Sequence, residues 1–175
     1  MSSSERVRKT NRLRKYDYSQ PGWYFVTICT KNKEKFFGEV INGEMVLNDA
    51  GNIVKYCWYD LTNHYLSIEL NEFVIMPDHI HGIVIKHNSC MDVGTGLKPV
   101  PTDKIKRNHD LSEIIRGFKT FSSMNLHYKL HLNFFSWQRS FYDRIIRNEY
   151  EYLSIRQYIR DNPKNWGMDD DVLAV

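Results

Sequence analysis

Residues 67–86 read SIELNEFVIMPDHIHGIVIK, and this stretch decides the fold. Residues 67–76 and 80–86 are two runs rich in apolar and β-branched side chains, and the turn-forming pair Pro77-Asp78 separates them. Runs of this kind on either side of a turn signal predict two neighbouring strands of one sheet. The rest of the chain therefore has to supply further strands and the helices that cover this sheet.

The segment before this stretch predicts a first strand and a first helix. Residues 23–30 (WYFVTICT) are aromatic and β-branched and follow a Pro-Gly pair, which is typical of a strand after a turn. We expect Asn48 or Asp49 to cap a helix that runs to about residue 63. Its predicted buried stripe consists of Ile53, Tyr56, Cys57, Trp58 and Leu61.

The segment after this stretch predicts two more helices and one more strand. A second helix is expected to begin near Asp110 or Ser112 and to run to about residue 129. A strand is expected near residues 137–142, and a third helix over residues 148–161, which Asn162-Pro163 ends. The buried face predicted for the second helix consists of Leu111, Ile114, Ile115, Phe118 and Phe121.

This order of elements indicates an α+β fold, a ferredoxin-like antiparallel sheet with helices packed on one face. A chain of 175 residues that is 42% hydrophobic matches one globular core. We divide it into a basic N-terminal arm at 1–22, a single domain at 23–166 and a C-terminal tail at 167–175. Residues 87–108 lose periodicity and contain several Gly and Pro residues, which predicts a flexible insertion in the domain.

Positive charge is concentrated near the N-terminus, although the net charge is only +3. Such a cluster attracts phosphate backbones, because each Lys or Arg that neutralises a phosphate releases condensed counterions. A solvated tail that binds nothing specific is an equal alternative from composition alone. The cluster consists of Arg6, Arg8, Lys9, Arg12, Arg14 and Lys15.

The cysteines and the hydropathy pattern predict a cytoplasmic protein. Cys29, Cys57 and Cys90 are odd in number and form no CxxC pair, so they indicate neither a disulfide framework nor a thiolate zinc site. The start of the chain is polar, and no apolar run approaches the roughly 18 residues that a bilayer span requires. We therefore expect reduced thiols and no membrane association.

His79 and His81 form the sharpest local signal for chemistry. Alternate residues of a strand point to the same face, so both imidazoles are expected on one side while Ile80 points to the core. Two imidazoles in that arrangement suit a divalent metal, and a catalytic site would leave positions open for substrate oxygens. Ordinary hydrogen-bonded histidines are the alternative, and a metal would need a third ligand from elsewhere.

The predicted third helix offers a hydroxyl and an amide for the same site. Tyr158 and Asn162 are i and i+4 neighbours on a polar strip, beside an apolar stripe formed by Tyr152, Ile155 and Ile159. A phenolate that attacks phosphorus forms a covalent phosphotyrosine, and the departing hydroxyl can later reseal the strand. The alternative for Tyr158 is a boundary aromatic with a solvated hydroxyl.

Several stretches resemble the REP-associated branch of the single-tyrosine HUH transposases. VIMPDHIHGIV at 74–84 resembles the HUH motif, in which two histidines flank a hydrophobic residue. WQRSFYDRIIRN at 137–148 and YIRDNP at 158–163 resemble the signature near the end of the chain in proteins of this branch. YDY at 16–18 and YFVTI at 24–28 fit as well. The pieces run in the family's order over nearly the whole predicted domain.

The resemblance implies a site and a reaction. It identifies His79 and His81 as metal ligands, Tyr158 as the nucleophile and Asn162, where relatives often have Gln, as a third ligand. It implies Mg²⁺ or Mn²⁺ and cleavage and rejoining of single-stranded DNA near palindromes that fold into hairpins. Insertion-sequence members are dimers with exchanged helices, whereas the long insertion at 87–108 leaves monomer and homodimer open here.

Further basic residues are expected to continue the N-terminal cluster along a groove for single-stranded DNA. Nearby aromatic rings would suit stacked bases, but we expect Phe118, Phe121 and Trp137 to be core. The predicted groove residues are Arg116, Lys119, Arg139, Arg144 and Arg147.

Three functions are compatible with these residues. The first is a metal-dependent endonuclease and strand transferase acting through Tyr158. The second is a non-catalytic regulator that binds hairpin DNA or RNA on the same fold, against which the intact histidine pair and Tyr158 argue. The third is a metal-dependent phosphoesterase that uses water. Only the first would form a covalent protein–DNA adduct.

Overall fold

The structure is a computed structural model that describes residues 16–88 and 109–167. The predicted basic cluster, all but two residues of the predicted insertion, and the tail beyond residue 167 lie outside the described residues. The domain limits drawn from the sequence therefore stay a prediction.

Four strands form the main sheet, and its strand order is that of a ferredoxin-like fold. The strands are β1 (Gly22–Cys29), β4 (Ile68–Ile75), β5 (His79–Lys86) and β6 (Tyr142–Ile146). Their order across the sheet is β4-β5-β1-β6, and every neighbouring pair is antiparallel. Helix α1 (Asp49–His64) connects β1 to β4, and helix α2 (Leu111–Leu130) connects β5 to β6. This split βαββαβ arrangement confirms the predicted α+β class.

Each of the three α-helices in the described residues begins at a side-chain cap, at or next to the start that the sequence predicted. The Oδ1 atoms of Asn48, Asp110 and Asn148 accept from the backbone N–H groups two or three residues further on, at 2.8–3.0 Å. The third helix, α3, spans Glu149–Asp161. A cap of this kind contributes about 1 kcal/mol to helix stability. In the described part of the chain, no helix combines the length and apolarity that crossing a bilayer requires.

The sheet has a helix layer on each face, which corrects the expectation that all helices share one face. Tyr24, Val26 and Ile28 of β1 point into the large core, which α1 and α2 cover. Phe25 points the other way, into a smaller cluster with Ile155 and Ile159 of α3. A strand that is buried on both faces has no polar side from which sequence alone could place a helix.

A short hairpin, β2 (Gly38–Ile41) and β3 (Glu44–Leu47), was not predicted from the sequence. Its turn is Asn42-Gly43, with φ of 52° and 79°. Asn-Gly between apolar residues is a strong hairpin signal, so this element was present in the sequence and missed.

Three local predictions were wrong. The last strand begins at Tyr142, and Trp137 forms only an isolated bridge to Thr30. Tyr56 and Phe121 were expected in the buried helix faces but are exposed. Val54 of α1 and Ser122 of α2 are buried. The buried face of each helix is therefore turned slightly from the face that the spacing of apolar residues predicted.

Candidate functional site

The two histidines of β5 converge on one point in front of the sheet. His81 lies opposite Thr27 and His79 opposite Cys29 in the pairing of β5 with β1. The Nε2 atoms of the two imidazoles are 3.0 Å apart. Ile80 between them is fully buried in the large core, as the strand alternation predicted.

Each imidazole is oriented through its other ring nitrogen. The Nδ1 atom of His79 is 2.5 Å from Asp78 Oδ1, and the Nδ1 atom of His81 is 2.8 Å from Thr27 Oγ1. An ionised carboxylate only accepts hydrogen bonds, so His79 Nδ1 donates and its Nε2 presents a lone pair. A carboxylate partner of this kind orients a metal-binding histidine and fixes its tautomer, and the Thr27 hydroxyl, which can donate or accept, orients the His81 ring.

The environment of His81 keeps its imidazole neutral. Burial, and then the nearby His79, lower the pKa of His81 well below its ordinary value. The ring also stacks on Phe25, with centroids 5.4 Å apart. A neutral imidazole offers a lone pair to a cation at neutral pH, which a protonated imidazole does not.

The histidine pair has the geometry of two adjacent ligands of a divalent cation. In an octahedron with bonds of about 2.1 Å, two neighbouring ligand atoms lie about 3.0 Å apart, which matches the distance between the two Nε2 atoms. Among residues 16–88 and 109–167, no three His, Cys, Asp or Glu side chains group to hold a metal.

Tyr158 lies beside the histidine pair. Its hydroxyl is 3.4 Å from His81 Nε2, and its ring meets Phe25 edge to face with centroids 6.1 Å apart. Burial raises the pKa of Tyr158, and a side-chain hydrogen bond with Asn162 acts in the opposite direction. The structure thus brings Tyr158, Asn162 and both histidines together. The sequence had suggested that Tyr158 lies on a polar strip of the helix. In the structure it also packs against the smaller core cluster.

Comparison with known proteins places the chain in a family. No family model matches it. A protein of uncharacterised function from Haemophilus influenzae is 38% identical over 167 residues, which cover 93% of this chain and 91% of the relative. The two proteins belong to one family.

The fold is shared with a transposase. The structure of a REP-associated tyrosine transposase bound to a REP hairpin superposes with a TM-score of 0.59 at 21% identity, over 90% of this chain and 75% of that one. The expected fold is therefore confirmed. The structure of a candidate transposase from Deinococcus radiodurans gives a TM-score of 0.46 at 18% identity, over 86% of this chain and 95% of that one.

Polar contacts at the edge of the sheet hold α3 in place over the site. Glu72 Oε2 accepts from Arg156 Nε at 2.8 Å and pairs with an Arg160 guanidinium nitrogen at 2.9 Å. Next to it, Asn71 Oδ1 accepts from the Tyr152 hydroxyl at 3.0 Å. Both acceptors lie where the pairing of β4 with β5 shifts register between Leu70 and Phe73. The irregularity turns two polar side chains toward the helix that carries Tyr158.

The predicted DNA-binding residues fall into three groups. Arg116, Arg139 and Arg147 are exposed, and Arg144 is exposed but 3.6 Å from Glu151. Lys119 is held differently, because its ammonium donates to the carbonyls of Gln138 and Ser140 at 2.9 and 3.0 Å, which speaks against a phosphate contact. The N-terminal cluster lies outside the described residues.

Sequence reasoning missed Trp166, which lies next to His79, and Lys35, which lies next to Trp166. The ring of Trp166 lies 6.0 Å from the His79 ring, and the ammonium of Lys35 lies 5.6 Å from the centre of the Trp166 ring. The available signal was spacing, since Trp166 follows Asn162 by four residues as Asn162 follows Tyr158. Nothing in the sequence indicated Lys35, which comes from the segment after β1.

Proposed function

We propose that this chain is a metal-dependent endonuclease and strand transferase that cleaves and rejoins single-stranded, hairpin-forming DNA. The observation that carries the proposal is the convergence of three groups: the Tyr158 hydroxyl is 3.4 Å from His81 Nε2, which is 3.0 Å from His79 Nε2. A nucleophile and a pair of cation ligands in such contact suit phosphoryl transfer.

Tyr158 is the proposed nucleophile. Its phenol loses a proton and its oxygen attacks the scissile phosphorus, which forms an O–P bond to the tyrosine. The bond between phosphorus and the 3′ oxygen breaks, and that oxygen takes up a proton as a 3′ hydroxyl. The 5′-phosphotyrosine keeps the energy of the cleaved bond, so attack by a 3′ hydroxyl rejoins the strand and frees Tyr158.

The histidine pair would hold the cation, with Asn162 as an amide ligand near Tyr158. A bound Mg²⁺ or Mn²⁺ polarises the phosphate and stabilises the negative charge that develops on it. Asp78 and Thr27 keep the two rings turned toward a common point through the Nδ1 hydrogen bonds. Phe25 packs against both His81 and Tyr158 and so limits water on the sheet side of the site.

Hairpin DNA is the proposed substrate because the REP-associated transposase of the same fold was solved bound to a REP hairpin. The exposed side chains of Arg116, Arg139 and Arg147 are available for phosphate contacts. On this proposal the protein resembles that neighbour in activity as well as in fold.

The assay that tests the proposal is formation of a covalent adduct. The full chain is incubated with Mn²⁺ and 3′-end-labelled hairpin DNA carrying a single-stranded extension, because the 3′ end stays on the fragment that a 5′-phosphotyrosine holds, and the products are run on a denaturing gel. We expect a labelled band that survives denaturation and disappears after protease treatment. Binding without cleavage would support the non-catalytic regulator, and cleavage without an adduct would support a water-using phosphoesterase.

A further inference from the structure

The geometry points to Trp166 as a stacking platform for the base next to the scissile phosphate, with Lys35 contacting the adjoining phosphate. This inference rests on the proposed function, and it assigns a binding subsite for single-stranded DNA beside the histidine pair. Neither residue belongs to the metal ligands or to the nucleophile.

Trp166 continues the line of Tyr158 and Asn162. Tyr158, Asn162 and Trp166 follow one another at intervals of four residues, so they lie along one side of α3 and the turn that continues it. The Trp166 backbone N–H donates to the Pro163 carbonyl at 3.3 Å, which fixes that turn. Tyr158 meets His81, and Trp166 meets His79. A phosphate at the histidine pair therefore has Tyr158 on one side and the Trp166 ring on the other.

The Trp166 ring has solvent-accessible surface on which a base can stack. The ring is only partly buried, and it is tilted 37° from the plane of His79. Its neighbour Lys35 is an exposed, flexible side chain at 5.6 Å, close to the limit of about 6 Å for a cation–π contact. An exposed contact of this kind is weaker than stacking of a nucleobase on an indole. A base can therefore replace the ammonium over the ring.

The displaced Lys35 has an evident new partner. Its ammonium is a compact charge on a flexible stem, and a nucleotide stacked on Trp166 brings its own phosphate to the same place. A platform flanked by a mobile cation is the arrangement that single-strand binding sites use, since rings hold bases and cations follow the backbone. The contribution of Trp166 to the affinity for single-stranded DNA should therefore depend on the presence of bases, and that of Lys35 should depend on charge.

The test uses two probes of equal charge. Fluorescently labelled dA12 and a twelve-unit abasic phosphodiester are titrated with the full chain in EDTA, and anisotropy gives the dissociation constants. We expect the wild type to bind dA12 more tightly. Trp166→Ala should weaken dA12 binding about tenfold, which is 1.4 kcal/mol, and leave the abasic probe unchanged. Trp166→Phe keeps a ring and should retain most of the affinity.

Lys35→Gln should affect both probes, whereas Trp166→Ala should affect only dA12. It should weaken both probes by the same factor and lower the slope of log affinity against log salt by about 0.7, the value for one phosphate contact on a single strand. Tyr128→Ala is the matched control, because Tyr128 is an exposed aromatic on α2 that should leave both probes unaffected. Thermal melting of each variant confirms that it is folded.

Three results would overturn the inference: a wild type with no preference for dA12, a Trp166→Ala variant that binds both probes as the wild type does, or one that weakens both equally. Because EDTA removes the metal, these results do not depend on catalysis. If the adduct forms but Trp166→Ala does not selectively weaken dA12 binding, only the stacking subsite is wrong. If Trp166→Ala selectively weakens dA12 binding but no adduct forms, only the proposed reaction is wrong.

Discussion

The Nε2 atoms of His79 and His81 face each other at 3.0 Å in front of the sheet. The Asp78 carboxylate fixes the His79 ring from behind, and the Thr27 hydroxyl fixes the His81 ring. Two nitrogen lone pairs at this distance repel each other unless a cation or a proton lies between them. Burial lowers the pKa of His81 and so favours its neutral ring, and in the tautomers that carry the proton on Nδ1 both Nε2 lone pairs are available to a metal ion.

The first prediction is that the histidine pair binds one divalent cation. Replacing both residues, as His79→Ala with His81→Ala, should abolish Mn²⁺ binding in titration calorimetry and abolish DNA cleavage. Asp78→Asn should weaken Mn²⁺ binding by about 10- to 100-fold, because it removes the partner that orients His79. His64→Ala, at an exposed histidine paired with Asp60, is the control. Unchanged Mn²⁺ affinity and cleavage in the double variant would show that the site is not a metal site.

The second prediction is that Tyr158 forms the covalent link to DNA. Tyr158→Phe removes one oxygen, so folding and hairpin binding should stay near wild-type values while the adduct and cleavage disappear. The measurement is the denaturing-gel assay with Mn²⁺ and labelled hairpin DNA. An adduct that persists in Tyr158→Phe would place the nucleophile at another residue.

Two neighbouring tyrosines serve as matched controls for Tyr158. Tyr150 is 81% exposed at the start of α3, and the hydroxyl of Tyr152 donates to Asn71 at 3.0 Å. Tyr150 is eight residues from Tyr158, roughly 12 Å along the helix axis. Tyr150→Phe and Tyr152→Phe should therefore keep the adduct.

The third prediction concerns the basic arm. Removing residues 1–15 should weaken DNA binding and flatten its dependence on salt by about one unit of slope per lost phosphate contact. The chemistry should survive, because the proposed nucleophile and the proposed metal ligands all lie in the retained part. Binding is measured from 50 to 200 mM salt. A truncated protein with the wild-type slope would make the arm a solvated tail.

The fourth prediction is a pH dependence of stability that comes from Lys119. Burial lowers the pKa of Lys119 to about 8 in the folded protein, whereas an unfolded lysine has a pKa of about 10.4. Between these values the unfolded chain binds more protons, so the free energy of unfolding rises with pH in that window. Urea denaturation at pH 7.5 to 10.5 should show this rise in the wild type relative to Lys119→Met. Lys129→Met, at an exposed position of the same helix, should show no such difference.

The fifth prediction concerns the close packing behind His81. A Cβ atom on Gly82 would overlap the indole ring of Trp58, which is fully buried. Gly82→Ala should therefore lower the free energy of unfolding by about 1–3 kcal/mol. Combining it with Trp58→Phe, which provides space, should cost less than the sum of the two single changes. Strictly additive losses would mean that this contact does not limit the position of β5.

Much of the fold follows from local features of the sequence. The sequence offered Asn48 or Asp49 as the first cap, Asp110 or Ser112 as the second helix start and residue 148 as the third, and the structure has Asn48, Asp110 and Asn148 as caps, because capping depends on residues only two or three positions apart. The strand that carries His79 and His81 was identified by its β-branched residues beside a turn signal, and alternation along it predicted that both histidines share one face; both signals have the same short range. The last strand was misplaced because the aromatic residue Trp137 packs in the core without belonging to a ladder.

The sequence by itself determined the α+β class, the side of β5 that carries both histidines, and the four-residue spacing of Tyr158 and Asn162. Only the tertiary structure decided that α3 crosses the opposite face of the sheet from α1 and α2, which brings Tyr158 to His81 across 77 positions of chain. Only the tertiary structure placed Trp166 beside His79 and Lys35 beside Trp166. Periodicity fixes which side of an element is apolar, whereas the packing of all elements together fixes which apolar sides meet.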